Sequence, residues 1–327
     1  MAHPEFTSSV ISLILIGAIG IIGALGAAVD IDLWVVVGGL VVGLIVGMTG
    51  MGGGALMTPM LVLLFGVNPS AAISSDLVAA VVMKPIGGAV HFARSTVNMA
   101  IVRWLALGSL PSAFCGVLLV HQIGGHEVED NLKLAMGIAL LLAVAGLISR
   151  ALIHRDGPDV ADVDRVVAPR PLWTVLVGVF GGLVVGMTSV GSGSLMIVAL
   201  MMLYPALSMR QLVGTDLVQA IPLVASAALG QAIFGDVRLG LTTSLLLGAV
   251  PGVYVGARLS ATVPGSVLRW ALGIALLASA TKLLHGNDTL LGVVTGLGVA
   301  AWAGTLCWQC HAARRRRRGV SPAAASG

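Results

Sequence analysis

The chain has 327 residues, of which 57% are hydrophobic and only 10% charged, with a formal net charge of +4. A mean hydropathy of +1.02 over that length excludes a water-soluble core wrapped in a polar surface, and the class is an integral membrane protein. The apolar runs lack the period-two alternation of barrel strands, which leaves helices, the element that satisfies its own backbone in lipid.

In chain order the runs cover 10–29, 34–64, 72–93, 99–121, 131–149, 172–203, 212–234, 239–260, 266–284 and 289–309. Each is of the order of the ~20 residues needed to cross a ~30 Å hydrocarbon layer. The first follows MAHPEFTSS, which lacks the basic n-region of a secretory signal, so residues 1–33 are expected to keep an extra membrane segment.

The second run contains GMTGMGGG at 47–54, and the sixth contains a near copy, GMTSVGSG, at 186–193. A shift of 139 residues superimposes Gly43, Gly47, Met48, Thr49, Gly52, Gly54, Leu56 and Met57 on Gly182, Gly186, Met187, Thr188, Gly191, Gly193, Leu195 and Met196. A shift of 140 then matches Asp76, Leu77 and Val78 with Asp216, Leu217 and Val218, and Gly108, Pro111 and Gly116 with Gly248, Pro251 and Gly256. One register held through four segments indicates duplication.

The expected fold is all-α and polytopic, with two tandem four-segment repeats, 34–150 and 172–285, whose first helices are broken by glycine. A polar linker, 151–171, joins them; an extra segment lies in 286–310 and a basic tail in 311–327. Four crossings per unit predict parallel repeats, whereas a re-entrant hairpin or a fifth crossing in each first run would invert the second.

Glycine costs roughly 1 kcal/mol relative to alanine in a helix interior, so the clusters predict helix breaks. At membrane depth a break is tolerated where it lines a cavity, and the second half-helix offers free N–H groups to an anion. Candidate substrate-binding positions are therefore Thr49, Gly52, Gly53 and Gly54 in the first cluster, and Thr188, Ser189, Gly191, Ser192 and Gly193 in the second. Close helix packing is the competing account of the glycines, and it suits Gly43 with Gly47 and Gly182 with Gly186 better than a site does.

These stretches, with SSDLVAAVVMKPIGGAVHFARSTVNM at 74–99 and the GTDLV copy at 214–218, resemble the TauE/SafE family of sulfite exporters over roughly residues 34–285. The resemblance implies a secondary transporter of small sulfur-containing or organic anions such as sulfite, sulfonates or sulfoacetate, often moving outward. A small anion and the bilayer are then the expected partners, with no cofactor, no metal and no enzymatic activity.

Lys84 lies well inside its run, where an ammonium costs at least ~2.5 kcal/mol and faces a cavity unless it snorkels to the interface. No acidic residue stands beside it in its own helix, and its repeat counterpart is Val224. His91, on nearly the same helical face, is a candidate proton-exchanging group or a helix-end hydrogen bonder, and Lys84, His91 and its counterpart Gln231 join the candidate substrate-binding set. Asp76 and Asp216 open the second run of each repeat, where capping and a coupling or gating role are the two readings.

Cys307, Cys310 and His311 spell CxxCH, the pattern for covalent haem attachment, so a membrane-bound redox or haem protein is one alternative function and a non-transporting scaffold another. The motif abuts Arg314 to Arg318, which favour the cytoplasm and contact with anionic lipids rather than nucleic acid. Basic residues at segment ends place the linker side in the cytoplasm, yet four-segment repeats followed by a spanning last segment would then carry the arginine tail outside.

Overall fold

The protein was analysed as a computed structural model, which describes residues 30–49, 53–93, 97–123, 128–153, 168–193, 195–259 and 265–285. Ten helices are described: α1 Leu33–Thr49, α2 Gly54–Leu64, α3 Pro69–Ala93, α4 Met99–Ile123, α5 Val128–Ile153, α6 Pro171–Thr188, α7 Leu195–Leu203, α8 Met209–Phe234, α9 Leu239–Leu259 and α10 Gly265–His285. Five stretches are long and apolar enough to cross a membrane, Met99–Gln122, Glu129–Ile148, Pro171–Thr188, Gln211–Phe234 and Leu239–Gly256. The first segment, the linker interior, the CxxCH motif and the arginine tail lie outside the described residues.

The helices start where capping chemistry permits. Asp32 Oδ1 accepts from the backbone N–H of Trp34 at 2.9 Å and caps α1, and α6 opens on Pro171. Ser208 and Gln211 form a reciprocal capping box at α8. Large apolar side chains face outward along the bundle; Trp34 and Trp173, at the starts of α1 and α6, are 76% and 61% exposed, as expected of aromatic anchors at the headgroup level.

Each glycine-containing run reverses direction at its break. Gly38 of α1 sits against the Met60 and Phe65 side chains. In the second half, Tyr204 Oη contacts Thr174 at 2.5 Å, and Gly181 lies against Met196. Residue numbers that fall in one helix as they rise in its neighbour define two antiparallel hairpins, α1–α2 and α6–α7. This is the re-entrant alternative, so the four-crossing expectation of parallel repeats is corrected to oppositely directed halves.

Contacts elsewhere give the same sense. α1 runs parallel to α9: Gly39 faces the carbonyl of Leu245 and Gly43 that of Ala249, where an added Cβ would stand 2.8 and 2.6 Å from the oxygens. Equivalent contacts join α6 to α4, with Gly178 on Leu105 and Gly182 on Ser109, each 2.5 Å from a carbonyl oxygen by the same measure. Gly39 and Gly178 differ by 139 and Leu245 and Leu105 by 140, the two shifts of the sequence repeat. Each half thus inserts its first helix against the fourth helix of the other.

Where Cβ atoms would strike backbone, glycine is required, and such close approach replaces the hydrophobic drive that lipid removes. The packing assignment of Gly43, Gly182 and Gly186 agrees with these contacts. α3 runs antiparallel to α8, because Ser74 meets Gln231 while Lys84, ten residues later, interacts with Asp216. α8 runs parallel to α4, as the bonds from Gln219 to Ser109 and from Ser226 to the Leu110 carbonyl show.

The hairpins also change the charge count. With α1–α2 and α6–α7 each returning to its own side, Arg103, Arg150, Arg170, Arg210, Arg258 and Arg269 gather on the linker side, against Lys133, Arg238 and Lys282 opposite. Among the described residues the asymmetry thus favours the linker side, the side that the positive-inside rule would assign to the cytoplasm.

Candidate functional site

The hairpin tips meet inside the bundle. Gly54, the first residue of α2, lies so close to the backbone of Ser189 that a Cβ there would overlap the Ser189 carbonyl oxygen. The second break is tightly wound: Ser189 has φ 58, Gly191 φ 114 and Gly193 φ 113. Positive φ suits glycine and strains serine, so the position of Ser189 is held by its surroundings. Residues 188–193 are all buried, and α7 starts just beyond at Leu195, with the Met196 N–H donating to the Gly191 carbonyl at 3.4 Å.

Two side chains of α3 reach across to this break. Lys84 is 5% exposed and its ammonium donates to Ser192 Oγ at 2.5 Å. Asp76 Oδ2 accepts from Ser189 Oγ and from Thr58 Oγ1 of α2, both at 2.7 Å. A carboxylate in the first half therefore ties its own hairpin to the tip of the other. Pro85, next to Lys84 inside α3, has no backbone N–H to donate to the Val81 carbonyl.

Capping is corrected for both aspartates. α3 begins at Pro69 and α8 at Met209, seven residues before Asp76 and Asp216; the residues that occupy the helix starts are Asn68, whose Oδ1 accepts from Ser70 N–H, and Ser208. The reason is length, since the buried part of each helix continues past the polar residues that mark the apolar run. No acidic residue stands directly beside Lys84 on α3, but the fold adds partners: Asp216 acts on it electrostatically from α8 and Asp76 from two turns back on α3.

Other candidates divide. Thr49 and Thr188 donate back to carbonyls of their own helices, Ile45 at 3.0 Å and Val184 at 2.7 Å, and finish α1 and α6. Gly53 is the residue before α2 and touches the Met83 and Met57 side chains. Gln231 accepts from Ser74, roughly 15 Å along α3 from Lys84 at 1.5 Å per residue, so it stands apart from this centre. His91 lies on α3 with its side chain outside the described residues, as does the whole of Gly52. Thr58 was missed, because its repeat counterpart is Ile197 and a threonine in an apolar helix carries no signal of its partner.

This arrangement of broken, inward-meeting hairpins with a buried lysine belongs to a chain that matches the sulfite exporter TauE/SafE family over residues 35–283. The chain belongs to that family. It is similar to Probable membrane transporter protein YjnA of Bacillus subtilis (strain 168), 39% identical over 249 residues, 75% of this chain and 97% of the relative. It is also similar to Probable membrane transporter protein YdhB of the same organism, 26% identical over 230 residues, 70% of this chain and 91% of the relative. No solved structure matches the chain. As a TauE/SafE member the protein is a multi-pass cell-membrane transporter, not an enzyme.

Proposed function

We propose that this TauE/SafE protein is a secondary transporter that exports small sulfur-containing or organic anions, of the size and charge of sulfite, a sulfonate or sulfoacetate. The carrying observation is the Lys84–Ser192 hydrogen bond, which joins a buried cation of one half to the broken helix of the other. Among the described residues Lys84 is the buried basic side chain, and the neighbouring break supplies the hydroxyls of Ser189 and Ser192. An oxyanion entering there takes over Ser192's role toward the ammonium, and gains charge-assisted bonds from both halves.

The name of the family and the printed names of the two relatives support transport, and the site chemistry supports an anion. Counterflow of radiolabelled sulfite, sulfoacetate and acetate in proteoliposomes tests it. Saturable exchange of the sulfur oxyanions that disappears in Lys84→Met is expected; equal flux in that variant sinks the assignment.

A further inference from the structure

Asp76 and Asp216 are the buried charges that anion binding at Lys84 leaves unused among the described residues, and Asp76 is the one that ties the two hairpins together. Both of its hydrogen bonds, from Thr58 and Ser189, end on Oδ2. Oδ1 is buried without a partner among the described residues and stands 3.9 Å from the position a Cβ would take at Gly53, at the opening of α2.

The charged groups around it are few. Among the described residues the buried charged side chains are Asp76, Lys84 and Asp216. Lys84 shares its helix, and Asp216 reaches the same lysine from α8. α2 contributes the neutral Thr58 and the second break the neutral Ser189. α5 and α9, which also pack on α3, present no buried charge among their described residues.

With all three ionised the trio carries one net negative charge, and an incoming anion adds another in a site shielded from water, where like charges repel strongly. One proton on Asp76 restores the balance. Because Oδ2 holds both hydrogen bonds, a proton on Oδ1 is accommodated without releasing either hairpin.

We propose that Asp76 is the proton-carrying group of the transport cycle, with anion and proton occupying the site together. The inference rests on the anion reading of Lys84 and Ser192. The proton comes from water on the side where the anion enters, resides on Oδ1 during the crossing, and returns to water on the other side.

The test uses the full chain in proteoliposomes with radiolabelled isethionate and sulfoacetate, sulfonates whose sulfonate group does not titrate near neutral pH, and an internal pH dye. Wild type should exchange the anions at equal pH and, with the outside more acid by about one unit, accumulate isethionate up to roughly tenfold while protons enter. Asp76→Asn, which keeps an acceptor for Thr58 and Ser189, should retain slower exchange, with its gradient stimulation falling to none. Accumulation by Asp76→Asn equal to wild type overturns the proposal. So does wild-type exchange that ignores the gradient and moves no protons, a result that also decides the matter if the variant does not fold. Absence of exchange of either anion in wild type defeats the anion reading itself, and the coupling with it.

Discussion

At the first break the chain enters α2 through Gly53 with ordinary right-handed geometry, φ −73 and ψ −33, and no side-chain cap. At the second it leaves α6 through Ser189 at φ 58 and passes Gly191 and Gly193 at φ 114 and 113 before α7. The two stretches are copies, and both reverse the chain, yet their chemistry has diverged. The second break carries the hydroxyls of Ser189 and Ser192, and the first half carries Lys84 and Thr58, whose counterparts are Val224 and Ile197. The scaffold is thus shared while the candidate site is asymmetric: the buried cation comes from one half and the hydroxyl-bearing break from the other.

The largest test of that asymmetry is to remove the charge. Lys84→Met keeps the stem and loses the ammonium, and should weaken anion binding by ~1.5–3 kcal/mol, roughly ten- to a hundredfold or more, with nearly all flux lost. Lys84→Arg should keep a part, as read by counterflow. Flux with unchanged apparent affinity in Lys84→Met would reduce the lysine to a snorkelling residue.

Filling the two breaks should have unequal effects. Gly191→Leu must hold a positive φ at a cost of ~1–3 kcal/mol and also meets Leu195, so transport should be abolished while the protein still inserts. Gly53→Leu meets first the flexible ends of Met83 and Met57, with Asp76 Oδ1 further off at 3.9 Å from the added Cβ, and should leave measurable flux. Equal loss in both, at equal surface expression, would show that the breaks work alike.

Packing positions, by contrast, should respond equally in the two halves. Gly43→Ile and Gly182→Ile each drive a side chain into backbone across the α1–α9 and α6–α4 contacts, at ~1–3 kcal/mol or more. Thermal stability in detergent should fall by similar amounts, and the affinity of the folded fraction should stay near wild type. A large difference between them would mean that the two helix pairs are not equivalent.

The smallest effect is expected for Ser192→Ala. It removes the acceptor that holds Lys84 in the resting site but not the charge, so a loss of about 1 kcal/mol, roughly fivefold in apparent affinity, is expected from anion titrations. If it matches Lys84→Met, the hydroxyl rather than the ammonium dominates recognition.

The members of the candidate site were legible in the chain one residue at a time. Lys84, Ser189, Ser192, Asp76 and the flanking glycines stand out because lipid makes charge and helix breaking costly, so each survives only for a reason. What could not be read was which of them meet. Lys84 and Ser192 are 108 residues apart and Asp76 and Ser189 are 113 apart. Gln231 carried the same kind of signal and belongs to a different contact, with Ser74.

Composition, apolar run length and a repeated register determined the membrane class, the duplication and the places where helices break, because burial in lipid imposes itself on every residue along the chain. The direction taken after each break was decided only by tertiary structure. Glycine permits a reversal without specifying one, and hairpin formation depends on contacts such as Gly38 with Met60 and Tyr204 with Thr174, made by residues outside the glycine clusters. That choice inverts the second half, crosses each first helix over to the opposite half, and brings Asp76 and Lys84 to a break that lies more than a hundred residues further along the chain.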